Sequence, residues 1–128
     1  MSYFWVAIGG AIGSTGRFWI SGLVAEAIGH SFPYGTLTVN ISGSFLVGAL
    51  AGLTVPEGRW FVNPSAREFL MIGLCGGYTT FSSFSLQTLA LAHDGQWFRA
   101  GMNCVASVVL CLIAVWLGYA CGNLLNRP

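Results

Sequence analysis

At 128 residues the chain is long enough for one domain. It is 55% hydrophobic and only 7% charged, with a mean hydropathy of +0.71; soluble domains carry about a quarter charged residues, so this is the composition of a membrane protein. There is no lysine and the net charge is +1, which excludes a basic surface for nucleic acid or anionic lipid.

A spanning helix needs about 20 apolar residues. Four runs qualify, at approximately 3–27, 34–55, 65–92 and 97–125, giving an all-α membrane protein with short connections. The first run lacks a basic leader and a small-residue cleavage site, so it reads as a mature span and not as a signal peptide. Gly9 and Gly13 form a GxxxG pair, which lets helix backbones approach closely. Arg17 is the deep charge of this span. It can snorkel to the interface, or sit at a vestibule that attracts anions and repels cations. Glu26 is its only acid and lies at its end.

The second span starts beyond Pro33. Thr36, Asn40, Gly43 and Ser44 recur at helical spacing and so share a face. Back-bonding to the helix accounts for scattered hydroxyls such as Ser21 and Thr54, but it cannot satisfy an asparagine amide. Asn40 therefore calls for a partner on another helix or a functional role. Gly48 and Gly52 form a second GxxxG pair.

The third span holds the stretch GLCGGYTTFSSFSLQ, Gly73 to Gln87. Gly73, Gly76 and Gly77 weaken the helix, and Thr79-Thr80 can restart it with a capping hydroxyl. A helix broken at this depth survives only when buried in protein or lining a cavity, and its free ends carry partial charges that hold ions. Carbonyls of Gly76 and Thr79, doubled by the symmetry of a dimer, could cage one small cation. Phe81, Phe84 and Thr88 form one stripe, and Thr80, Ser83 and Gln87 a polar neighbour. Ring edges are electropositive, so Phe81 and Phe84 could flank an anion path with Asn40 as donor; plain packing is the simpler account of two such rings.

In the fourth span Asn103, Ser107 and Cys111 follow an i, i+4, i+8 row, and Gly118 and Gly122 form a third GxxxG. The cysteines (Cys75, Cys104, Cys111, Cys121) lie in apolar runs without metal-ligand spacing and read as small hydrophobic fillers. With four spans, both termini share a side with the second loop. That side holds Arg59, Arg67 and Arg127, against Arg99, or Arg99 with Arg17, opposite, a bias weak enough for insertion in both orientations.

Three segments, GGAIGSTGRF (Gly9–Phe18), GTLTVNISGSFLVG (Gly35–Gly48) and GLCGGYTTFSSFS (Gly73–Ser85), carry a resemblance to the Fluc (CrcB) family of fluoride channels that covers nearly the whole chain. The resemblance implies an antiparallel, dual-topology homodimer with two fluoride pores and a central sodium ion, in a bacterial inner membrane. It places sodium on the Gly76 and Thr79 carbonyls. It assigns the fluoride pathway to Asn40, Phe81 and Phe84 with Thr36 and a fourth-span row of Asn103, Ser107 and Cys111, which Thr80 and Ser83 of the polar stripe join, and the vestibule to Arg17. The sequence departs from the family at Gln87, where a glutamate is common, and at Asn103, where Tyr or His often opens the fourth-span row.

The expected function is passive fluoride export. Two rivals stand beside it. A small dual-topology multidrug exporter needs a membrane-embedded acid, and Glu26 is badly placed for one. A non-transporting assembly protein explains the glycines but not Asn40, Phe81 and Phe84 together. No nucleophile, base and orienter occur together, so an enzyme is not expected.

Overall fold

A computed structural model describes residues 1–56 and 58–127. Among these every regular element is helical. In chain order they are α1 (Ser2–Ile28), α2 (Tyr34–Leu53), α3 (Pro64–Arg67), a π-helical segment (Glu68–Cys75), α4 (Gly76–Tyr78), α5 (Phe81–His93) and α6 (Trp97–Leu125). The run from Pro64 to Tyr78 is continuous helix, and α5 resumes it after a two-residue break. Asn63 opens the run: its side chain accepts the Ala66 N–H at 2.7 Å, and Pro64 occupies the first helical position, where no amide partner is needed.

Three helical stretches, Tyr34–Leu53, Pro64–His93 and Trp97–Leu125, are long and apolar enough to cross a membrane. α1, at 27 residues, is about 40 Å long and has the reach, but Ser14, Thr15, Arg17, Ser21 and Glu26 make it more polar.

Two close pairings organise the bundle: α2 lies along α6, and α1 lies along the first half of the third span. Both are made by absent side chains. A Cβ on Gly48 or Gly52 would run into the Val115 or Tyr119 carbonyl of α6, and one on Gly118 or Gly122 into the Phe45 or Ala49 carbonyl of α2. On the other pair, a Cβ at Gly9 would lie 2.6 Å from the Phe69 carbonyl, and one at Gly77 2.6 Å from that of Gly10. The GxxxG pairs thus sit at backbone contacts, where lipid supplies no hydrophobic drive and close packing must.

The interior is small and polar, with Thr36, Thr80, Asn103, Ser107 and Asn126 buried beside Val39, Ala100 and Ala114. Phe18, Trp19, Phe61, Phe98, Trp116 and Leu125 face outward. That inversion of a water-soluble core suits a hydrocarbon surround. One end of the bundle is fastened by Asn126, which is 2% exposed. Its Oδ1 accepts the Trp60 N–H at 3.0 Å and its main-chain carbonyl accepts the Arg59 N–H at 3.2 Å, tying the C-terminus under the second loop.

Candidate functional site: the interruption of the third span

The third span loses its regular ladder in two stages. The π-helical turns of Glu68–Cys75 first widen it. Thr79 (φ −86°, ψ 157°) and Thr80 (φ −152°, ψ 115°) then adopt extended backbone, and α5 starts afresh at Phe81. Thr79 still closes the first half, donating both N–H and Oγ1 to the Cys75 carbonyl, each at 3.0 Å. Thr80 caps the second half, its Oγ1 accepting the Ser83 N–H at 3.2 Å and donating to Ser83 Oγ at 3.1 Å.

What holds the break is Asn40. Its Oδ1 accepts the Thr80 N–H at 2.7 Å, and its Nδ2 donates to the Thr80 carbonyl at 3.0 Å. One amide side chain thus replaces both backbone bonds that Thr80 forfeits by leaving the helix, which matters where no water can. A primary amide has two hydrogens, so one remains for another acceptor. In an unbroken helix the Thr80 N–H would bond the Gly76 carbonyl. Its diversion to Asn40 leaves that carbonyl outside the ladder. Gly43 admits the break to α2, since a Cβ there would strike Thr79 Cγ2. The Ser42–Tyr78 hydroxyl contact at 2.9 Å and the Ser14 Oγ bond to the Gly77 carbonyl at 3.4 Å brace its upstream side.

Three cavities follow one another past this point. The largest, about 1100 Å³, opens at the first loop and reaches Thr36 and Gln87. A second, about 240 Å³, shares Thr36 and Gln87 with it and is lined further by Arg17, Thr80 and Ser83. A third, a groove of about 460 Å³, meets the second at Thr80 and contains Asn40, Gly76, Thr79, Phe81, Phe84 and Ser107. Among the described residues Arg17 is the one charged side chain on the second cavity, and none lines the third. Gln87 keeps a buried Oε1 without a hydrogen-bond partner.

The candidate residues therefore divide. Asn40, Thr79, Thr80, Phe81, Phe84, Ser107 and Gly76 meet around the groove, and Arg17, Thr36, Thr80 and Ser83 around the cavity before it. Of the second-span face, Asn40, Gly43 and Ser44 reach the groove, whereas Thr36 lies one cavity away. Asn103 lines none of the three cavities. It is 2% exposed, donating to Thr88 Oγ1 at 2.8 Å while its Oδ1 receives Ser107 Oγ at 3.5 Å. Thr88 in turn bonds the Phe84 carbonyl at 2.7 Å, so Asn103 steadies the Phe84 turn from behind. The rings of Phe81 and Phe84 lie 5.2 Å apart at 54°, but Phe84 is buried while Phe81 is 77% exposed. Ser21 and Thr54 are back-bonded to the Phe18 and Leu50 carbonyls. Gln87 was read as part of a polar stripe and Cys111 as part of the Ser107 row, but that Gln87 walls two cavities and that Met71 and Cys75 line the groove went unseen in the sequence. For Met71 and Cys75 the spacing of four was the readable trace.

The family model described as CrcB-like protein, Camphor Resistance (CrcB), matches residues 4–119. Similar proteins include a fluoride-specific ion channel FluC of Rhodospirillum rubrum, 61% identical over 99% of this chain and 98% of that one. Another, of Opitutus terrae, is 59% identical over 97% and 94%, and one of Methylocella silvestris 56% identical over 99% and 97%.

Proposed function

The chain belongs to the CrcB family, and we propose that it is a fluoride-specific ion channel, a passive exit for fluoride from the cytoplasm of a bacterial cell through its inner membrane. The observation that carries the reading is the string of cavities at the interrupted third span, charged only at its outer part. Fluoride is small and strongly hydrated, so the path must offer donors that replace water without holding the ion too firmly. Arg17 and the positive end of α5 draw an anion inward. Thr36, Thr80 and Ser83 supply hydroxyls next. The second amide hydrogen of Asn40, the Ser107 hydroxyl and the ring edges of Phe81 and Phe84 supply donors in the groove. Among the described residues no charged side chain lines the groove to trap the ion. Glu26 is exposed and does not reach the groove, which weakens the exporter alternative.

The working unit is a homodimer of antiparallel chains with all four spans in the bilayer, α1 included. Gly76, Phe81, Ser82 and Ser85 are exposed on one side at membrane depth, beside a frayed backbone. Lipid cannot satisfy such a surface, whereas a second copy can. Sodium fits the same face. The Gly76 and Thr79 carbonyls lie outside any helical ladder and are oxygen donors of the kind a hard cation takes, and a symmetry mate doubles them. Bound there, sodium would add a fixed positive charge and join the two copies.

The deciding measurement is efflux from liposomes reconstituted with purified protein. Fluoride is expected to leave rapidly while chloride is retained, and a covalently linked antiparallel dimer is expected to conduct. Fluoride that stays trapped behind demonstrably folded protein overturns the channel; a silent linked dimer with an active unlinked one overturns the arrangement.

A further inference from the structure

The large outer cavity carries charges that the channel reading leaves unused. Among the described residues Glu26, His30, Asp94 and Arg99 line it. With histidine neutral, two acids stand against one arginine, a formal charge of −1. The acids come from separate elements: Glu26 is in the last turns of α1, and Asp94 closes α5. Both are exposed. Arg99, exposed as well, leans on neutral oxygens, donating to the Ser31 carbonyl at 3.2 Å and to Gln96 Oε1 at 2.8 Å. The next cavity inward shares Phe18, Ser21, Thr36 and Gln87 with the outer one, and its charge is Arg17. The sign of the lining therefore reverses between the mouth and the interior.

We propose that Glu26 and Asp94 make the outer cavity an electronegative antechamber that retards anions on their way to Arg17. The action is through the field and requires no ion to touch either carboxylate. A round cavity of about 1100 Å³ would be about 13 Å across, comparable with the screening length of about 10 Å at 0.1 M salt, so both acids are felt within it. Walls of low dielectric focus that field. Charges brought by a second copy would shift the baseline of every variant alike, so differences between variants belong to the two acids. Slowed entry rests on the fluoride reading; the negative potential does not.

The potential is read with a thiol placed inside the cavity. Gly22 lines it one turn before Glu26, and a Cβ there meets nothing within 4 Å, so Gly22→Cys fits without displacing a neighbour. In full-length protein carrying Cys75→Ala, Cys104→Ala, Cys111→Ala and Cys121→Ala, the Gly22→Cys thiol is reacted with a cationic trimethylammonium and an anionic sulfonate methanethiosulfonate. The same chain without Gly22→Cys is the blank. Should the cysteine-free chain not fold, the native chain takes its place, its own thiols being counted in the blank. The ratio of the two rates cancels any change in thiolate fraction and reports the local potential. At about 10 mM ionic strength, where the screening length is about 30 Å, Glu26→Gln with Asp94→Asn is expected to lower the cation-to-anion ratio about fivefold, and either alone about twofold. At about 1 M salt the ratios should converge. In liposomes, with native cysteines and fluoride far below saturation, the double variant is expected to pass fluoride about twofold faster than its parent at low salt and no faster at high salt. Each variant is first matched to its parent by elution and circular dichroism. A ratio that neither substitution moves overturns the antechamber. A moved ratio with unaltered flux, in a parent that conducts, overturns its hold on entry. A moved ratio in protein that passes no fluoride sustains the negative cavity and removes the channel instead.

Discussion

Along α2 and α6, glycine removes side chains so that two unbroken backbones can touch; in the third span, glycine accompanies a broken backbone that side chains then repair. The first region is two uninterrupted helices, and its contacts set glycine against the facing carbonyls. The second depends on polar groups reaching in from elsewhere: Asn40 from α2, Ser14 from α1, and Thr80 from within the break. Rigidity is thus concentrated in one pair of helices, and the open hydrogen-bonding capacity an ion can use is concentrated beside the other.

That contrast can be broken first at the rigid side. Gly118→Leu drives a side chain into the Phe45 carbonyl and is expected to cost about 3 kcal/mol or more, read as loss of a monodisperse, foldable protein. At the break, Asn40→Asp keeps the acceptor for the Thr80 N–H but turns a carboxylate oxygen onto the Thr80 carbonyl. Fluoride flux should fall on the order of 100-fold in protein that still elutes as folded, and robust conduction would remove Asn40 from the path. Phe84→Ile keeps an apolar side chain and deletes a ring edge, for which about a tenfold slower flux is expected; an unchanged rate counts against the ring edges. The smallest effect belongs to Thr80→Val, which removes the cap of α5. About 1 kcal/mol of local stability should go, visible as faster hydrogen exchange at the Ser83 amide.

Much of the scaffold was legible because its signals are local. Long apolar runs, prolines at their edges and glycines at spacing four mark the helices and their contacts without knowledge of the third dimension. The break was legible for the same reason, from Gly73, Gly76, Gly77 and the Thr79-Thr80 pair. The site was legible in membership more than in arrangement. Asn40 stood out because no helix can satisfy its amide, yet its partner is the backbone of Thr80, forty residues away, and backbone groups leave no mark in a sequence. Asn103 was aligned with Ser107 by helical spacing, but which of the two reaches the cavity depends on how α6 is turned against Thr88. The π-helical widening of Glu68–Cys75 has no compositional sign here; it lies where the span packs against α1.

Asn126 grips the Trp60 amide across 66 residues of sequence, so the third and fourth spans are both synthesised before this contact can form. At usual elongation rates, roughly 5–20 residues per second, the second loop therefore waits several seconds after its own synthesis before Asn126 can fasten it. The latch can close only after the last helix has been made, and an Asn126→Ala chain would leave that end unlatched for the protein's lifetime.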